Sequence, residues 1–191
     1  MPKIDTSQIC IARITKICGG LCPILSISTN QKEIGRIQGK QIASLLPTGG
    51  SVLYIQGPSV SSVAAERFEG LRGTLPSSAH LVKLKGKWTE ESAYQSVSSW
   101  MKLMGTQKCL IDLITAQNDV MAVGARKALK DCANESDREI LAKIPVTGCD
   151  GVPSTGQAWV RAGHMILGGR SNRRQTYQTS RSKRTLNRSK R

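Results

Sequence analysis

Aromatic side chains are scarce in this chain. Phe, Trp and Tyr make up 4% of 191 residues, and histidine is limited to His80 and His164. No apolar run comes near the ~20 residues that a bilayer-spanning helix needs. Val52–Ile55 and Leu110–Ile114, the second broken by Asp112, are among the longest, so no membrane span is expected. No CxxC pair occurs, and Cys18 and Cys22 with two distant histidines make a poor zinc site. The six cysteines are even in number, but a chain of this length with 39% apolar residues has no need of a disulfide framework. They read as buried or incidental thiols.

The signatures of common enzymes are missing too. The loop after Ser51–Gln56 lacks the GxxxxGK[ST] spacing that cradles phosphates, no GxGxxG follows a strand, and there is no GxSxG elbow. His80 and His164 have no nucleophile beside them in the sequence. Asp119 and Asp150 could approach one another, but without a metal motif or a clear acid–base pair no catalysis, metal or cofactor is expected.

Acidic residues are few, 13 against 28 Lys and Arg, for a net charge of +15. The excess is local. Nine of the basic residues and no acidic one lie in 164–191, so residues 1–163 carry only +6. Residues from about 168 onward have scarcely any apolar side chain and are expected to be a disordered basic tail. Such a tail could bind nucleic acid through phosphates, nonspecifically and with steep salt dependence, since Tyr177 alone offers a stacking face. At the other end, Lys3, Arg13 and Lys16 precede an apolar stretch that Gly19, Gly20 and Pro23 interrupt, with no clean cleavage site. No export signal is assigned, which leaves the compartment open.

Between residues 33 and 163 the pattern is regular. Apolar residues at 34, 37, 42, 45 and 46 have helical spacing and stop at Pro47. Short apolar strands are predicted at 51–56, 81–84, 110–116 and 144–149. Helices are predicted over 63–75, 89–104, 120–132 and from Ser154 or Thr155 to Arg161, with N-cap side chains in 59–62, at Thr89 and at Asn118-Asp119. Strands alternating with helices through short loops imply βαβ units, a parallel sheet and a three-layer α/β lobe.

In an open parallel sheet, ligands collect at the carboxyl ends of the strands. The residues expected there are Arg67, one turn into the second helix, then Trp88, Asn118 and Asp150. One guanidinium, one amide and one carboxylate with an aromatic face suit a neutral polyhydroxyl ligand. Trp covers the C–H surface of a sugar ring while the charged groups engage adjacent hydroxyls. Each also has a plain structural reading: Asp119 as a helix cap, Asn118 as a turn former, Trp88 as core, Arg67 as a solvated helix residue and Asp150 as a turn before Gly151.

The segments Glu33-Ile-Gly-Arg-Ile-Gln-Gly-Lys, Val52-Leu-Tyr-Ile-Gln-Gly-Pro, Gly86-Lys-Trp-Thr, Ala116-Gln-Asn-Asp-Val-Met-Ala-Val-Gly-Ala and Gly148-Cys-Asp-Gly resemble those of the type I periplasmic sugar-binding proteins. These are ribose-binding-like substrate receptors of ABC transporters, related to the effector domains of lac-repressor-type regulators. The resemblance covers about residues 32–163. It implies a flavodoxin-like lobe, part of a two-lobed receptor that closes on a sugar and docks on a membrane permease in the periplasm or cell envelope. By motif position it implies that Arg67, Trp88, Asn118 and Asp150 contact a monosaccharide or similar polyol.

The same resemblance implies a fragment, with an incomplete parallel-sheet lobe at 32–163, a remnant segment at 1–31 and the tail at 164–191. The switch in composition after Gly163 reads as translation in a shifted frame. The 144–149 strand then becomes a sheet edge that Met165–Leu167 could cover only in part. The leading expectation is a non-enzymatic sugar-binding component of an ABC-type uptake system, impaired in binding as a fragment. The alternatives are a lac-repressor-type effector domain and a nucleic-acid binder acting through the tail.

Overall fold

A computed structural model describes residues 9–11, 27–104, 111–132 and 135–166. Most of the segment at 1–31, Leu110 and the basic tail from 167 onward, with Tyr177, lie outside the described residues. Among the described residues twelve elements follow one another. The first two, β1 (Ile9–Ile11) and β2 (Ile27–Thr29), pair antiparallel in a separate two-stranded sheet that the sequence pattern does not announce.

Alternation then governs. Helix α1 (Gln31–Leu45) leads to β3 (Gly50–Gln56), α2 (Ser62–Arg72), β4 (Ala79–Lys85) and α3 (Glu90–Met104). After these come β5 (Leu113–Ala116), α4 (Asp119–Cys132), α5 (Glu135–Ala142), β6 (Val146–Thr147) and α6 (Gly156–Arg161). The main sheet has the order β4-β3-β5-β6 and every neighbouring pair is parallel.

Successive side chains of a strand point to opposite faces, which divides the core in two. On one face Val52, Tyr54 and Leu113 pack with Ile42 and Leu46 at the end of α1 and Leu71 of α2. On the other, Leu53, Ile55, Ile114 and Ala116 pack with Ala93 and Val97 of α3 and Met121, Ala122 and Ala125 of α4. The three layers are those expected, and β3 reads as an unbroken apolar run because it is buried on both sides. Strand β4 is an edge, with exposed Lys83 and Lys85 to discourage pairing with another protein. Lys83 Nζ also stands 4.3 Å from the centre of the Phe68 ring.

Two strands are shorter than predicted. At the start of 110–116, Asp112 takes the place of a ladder partner: its N–H donates to the Ser51 carbonyl, and its Oδ2 accepts from Ser51 N at 2.9 Å. Regular pairing begins only at Leu113. In 144–149, Ile144 N closes the end of α5 on Leu141 O, and Pro145 has no N–H to give. Gly148–Asp150 turn away toward Asp119. Only Val146 and Thr147 remain as strand. Helix α5 was not foreseen, because its one well-buried apolar residue among those described is Leu141. Met165 is buried in the core and Ile166 N donates to Val146 O at 2.9 Å, so this edge is partly covered, as expected.

The buried face of α1 keeps Ile42 and Leu46 of the predicted pattern but differs in its first two turns. Gly35, Gln38, Gly39 and Ile42 face inward while Ile37 is exposed. Small residues are needed there because α1 and α2 touch backbone to backbone. A Cβ on Gly35 would stand 1.9 Å from Arg67 O, and one on Gly70 1.9 Å from Lys32 O. Thr74 Oγ1 donates to Arg36 O across the same contact.

Candidate functional site

The carboxyl ends of the parallel strands gather the four predicted residues. Arg67 leaves α2, whose N-cap is Ser61, with Oγ accepting from Ala64 N at 3.3 Å. Its Nη1 donates to the Gln117 carbonyl and lies 3.3 Å from Cys149 Sγ, and its Nε donates to Gln31 Oε1 at 2.7 Å. The guanidinium carbon stands 5.8 Å from the centre of the Trp88 ring, within cation–π range.

Trp88 is partly buried and packs against the core below α3 and α4, with its ring on Gly57. A Cβ there would stand 2.3 Å from Trp88 Cζ2, so glycine is what lets the ring lie over the end of β3. The Trp88 backbone has φ 66°, the left-handed region that costs a bulky residue about 1–3 kcal/mol. Two neighbours hold the turn. Asn118 Nδ2 donates to Trp88 O at 3.0 Å, and Lys87 N donates to Ser92 Oγ at 2.8 Å.

Asn118 is also the N-cap of α4, its Oδ1 accepting from Met121 N at 2.9 Å. It is thus a helix cap rather than a plain turn former, and among the described residues one amide proton is left over. Asp150 is exposed, and its Oδ2 accepts from Asp119 N at 3.3 Å. The four residues thus share one edge, linked through Gln117, Asp119 and Cys149.

Asp119 does not cap α4 with its side chain. Its buried carboxylate accepts from Asp150 N at 3.2 Å and Gly151 N at 2.8 Å, anchoring the loop after β6. Glycines flank it: a Cβ on Gly148 would stand 2.1 Å from Oδ1 and one on Gly156 1.9 Å from Oδ2. The expected hydroxyl cap of α6 is absent as well, since Thr155 holds the N-cap position without a side-chain bond.

Sequence reasoning passed over Gln117. It is fully buried; Nε2 donates to Tyr54 Oη at 2.7 Å and Ala64 O at 2.9 Å, and Oε1 accepts from Gly57 N at 2.9 Å. One amide ties β3, the loop after it and α2 to the end of β5. The available signal was an amide directly after a four-residue strand buried throughout.

Burial dominates the electrostatics. It pushes the Cys149 thiol up to about 12, against the opposing pull of Arg67, and raises the Tyr54 phenol well above its ordinary range. Burial also raises Asp119, helped by the charge of Asp150 and opposed by the N–H groups of Gly151 and Asp150. A carboxyl raised in the folded state binds more protons folded than unfolded, so its contribution to stability falls as pH rises from about its ordinary 3.8 through the raised value. Asp119→Asn removes that slope and leaves a loop N–H facing an amide nitrogen, at a cost of ~1–3 kcal/mol. In urea melts the gap to the wild type is expected to be widest below about pH 3.8 and to narrow as the pH rises toward neutrality; a gap that does not change with pH contradicts this.

The profile of the periplasmic binding protein domain matches residues 23–179. The xylitol-binding protein of Mycolicibacterium smegmatis is 29% identical over 144 residues, which cover 74% of this chain and 38% of that protein. The ribose import binding protein RbsB of Escherichia coli is 31% identical over 119 residues, 62% of this chain and 37% of its own. In structure, an ABC transporter periplasmic solute-binding protein from Actinobacillus succinogenes, solved with bound D-allose, is similar with a TM-score of 0.59 at 22% identity, covering 71% of this chain and 46% of that one. That likeness speaks to the fold. The chain spans about two fifths of the length of these curated relatives.

Proposed function

This chain belongs to the family of the periplasmic binding protein domain, and from that premise we propose that its carboxyl edge is one wall of a sugar- or polyol-binding site in a non-enzymatic solute receptor. The observation that carries the reading is the convergence of Arg67, Trp88, Asn118 and Asp150 on one sheet edge. Arg67 and Asp150 offer one charge of each sign, which favours a neutral ligand with adjacent hydroxyls over an anion. The partly buried Trp88 face covers the C–H groups of a sugar ring or of an open polyol. The relatives named for xylitol and ribose support this ligand class. An ABC permease is the proposed partner, and the periplasm or cell envelope the proposed compartment. Among the described residues no helix is long and apolar enough to cross a membrane.

Binding rather than turnover is supported by how the polar groups are used. Asp119 and Asp150 face backbone N–H groups, and His80 stands at the amino end of β4, beside Ser51 at the opposite end of the sheet. Hydrogen bonds on an open edge net ~1 kcal/mol each, so three or four of them give a Kd of about 1–6 mM. In an amide NMR titration with xylitol and ribose, saturable shifts are expected at the Trp88 indole, the Asn118 side-chain amide and the Asp150 and Gly151 amides. Arg67→Ala is expected to weaken the binding about fivefold. Shifts confined to other surfaces, or none at about 50 mM ligand, would overturn the proposal.

A further inference from the structure

Arg67 is gripped from a second helix. Gln31, the first residue of α1, accepts from Arg67 Nε at 2.7 Å, while its own Nε2 donates to Thr29 Oγ1 at 2.6 Å. Nε of arginine can only donate, so the facing Gln31 atom must be the carbonyl oxygen, and both ends of the amide are committed. The helix that carries Gln31 cannot drift from the helix that carries Arg67, because they meet backbone to backbone at Gly35 and Gly70. On the far side the Gln117 carbonyl holds Nη1. Among the described residues Nη2 is left without a partner, and its two protons are free for a ligand.

We propose that Gln31 is a positioning residue for the ligand site: with the Gln117 carbonyl it fixes the plane of the Arg67 guanidinium, so that Nη2 is ordered before the ligand arrives. This rests on the sugar-site reading above. A long side chain that has to be ordered on binding weakens affinity about three- to tenfold per immobilised group, and the Gln31 contact removes that cost in advance. It also makes Arg67 a donor through one amine alone, which suits a single hydroxyl oxygen better than the two-point grip that a carboxylate or phosphate would take.

The test uses the full-length protein with Gln31→Ala and Gln31→Glu, observing the Arg67 Nε–H resonance and the xylitol titration together. In the wild type the Nε–H is expected to be resolved and protected from solvent exchange. Gln31→Ala is expected to lose that protection and to weaken xylitol binding about three- to tenfold, with the urea midpoint little changed. Gln31→Glu, which still presents an acceptor oxygen, is expected to restore both to within about twofold; a purely structural role for Gln31 would not produce this rescue. If Gln31→Ala leaves Nε–H exchange unchanged, or loosens Nε–H while xylitol affinity stays the same, the assignment is overturned. A wild type with a protected Nε–H that Gln31→Ala exposes, but with no xylitol shifts, overturns the sugar reading instead and supports the grip of Gln31 on Arg67.

Discussion

Gly35→Ala is expected to destabilise the protein by about 3 kcal/mol, although alanine is the better helix former by ~1 kcal/mol. The new methyl would meet Arg67 O at 1.9 Å and Leu71 N at 2.9 Å, and both are backbone atoms that no rotamer change can move aside. The helices must separate, and the contact that goes first is the one from Gln31 to Arg67. Gly70→Ala meets Lys32 O at 1.9 Å and is expected to cost a similar amount. Because either methyl alone forces the same separation, the double variant should cost clearly less than the sum of the two. Urea denaturation of the three variants tests this; a Gly35→Ala protein within about 1 kcal/mol of the wild type would show that the crossing is looser than described.

The second large effect is expected at Gln117. Gln117→Ala leaves Gly57 N–H and Tyr54 Oη without this amide, while Ala64 O, inside α2, loses only a bond additional to the helix ladder. Each buried polar group left unpaired costs ~1–3 kcal/mol, so a loss of about 3 kcal/mol or more is expected. Gln117→Glu carries a pH signature. Its second carboxyl oxygen would face the Ala64 carbonyl in a buried site, raising its folded pKa above the unfolded one. Stability should then be highest below the unfolded carboxyl range and fall as pH rises through the folded value. Equal stability of Gln117→Glu at about pH 5 and pH 8, relative to wild type, would contradict this account of the hub.

What was legible in the sequence is what depends on period and composition. β3 and β4 stood out because apolar runs end at Gly57-Pro58 and Gly86-Lys87. The order of strands and helices followed from turns and caps such as Ser61 and Thr89, which form their expected bonds. The gathering of Arg67, Trp88, Asn118 and Asp150 was legible because a parallel sheet sends every strand end to the same edge. What was not legible depends on partners distant in the sequence. Apart from Ile42, the inward face of α1 is made of glycine and glutamine, which no hydrophobic pattern identifies. Asp119 looked like a cap because the residues that it holds lie more than thirty positions away. The start of β5 depended on Asp112 substituting for a ladder partner opposite Ser51, whereas Pro145, which delays β6, could have been read from the sequence.

The fit of Asp119 between Gly148 and Gly156 also constrains the order in which a lineage carrying this fold could change. A methyl at either glycine position meets a carboxylate oxygen at 2.1 or 1.9 Å, so alanine is admitted there only after Asp119 has been replaced. Once an alanine is in place, aspartate at 119 can no longer be restored by a single substitution, because its carboxylate would have nowhere to sit. Departure from the present arrangement therefore begins at one position only. It also passes through an intermediate whose Asp150–Gly151 loop has lost its acceptor, and return must restore the glycine before the aspartate. The three residues change in a fixed order and revert in the opposite one.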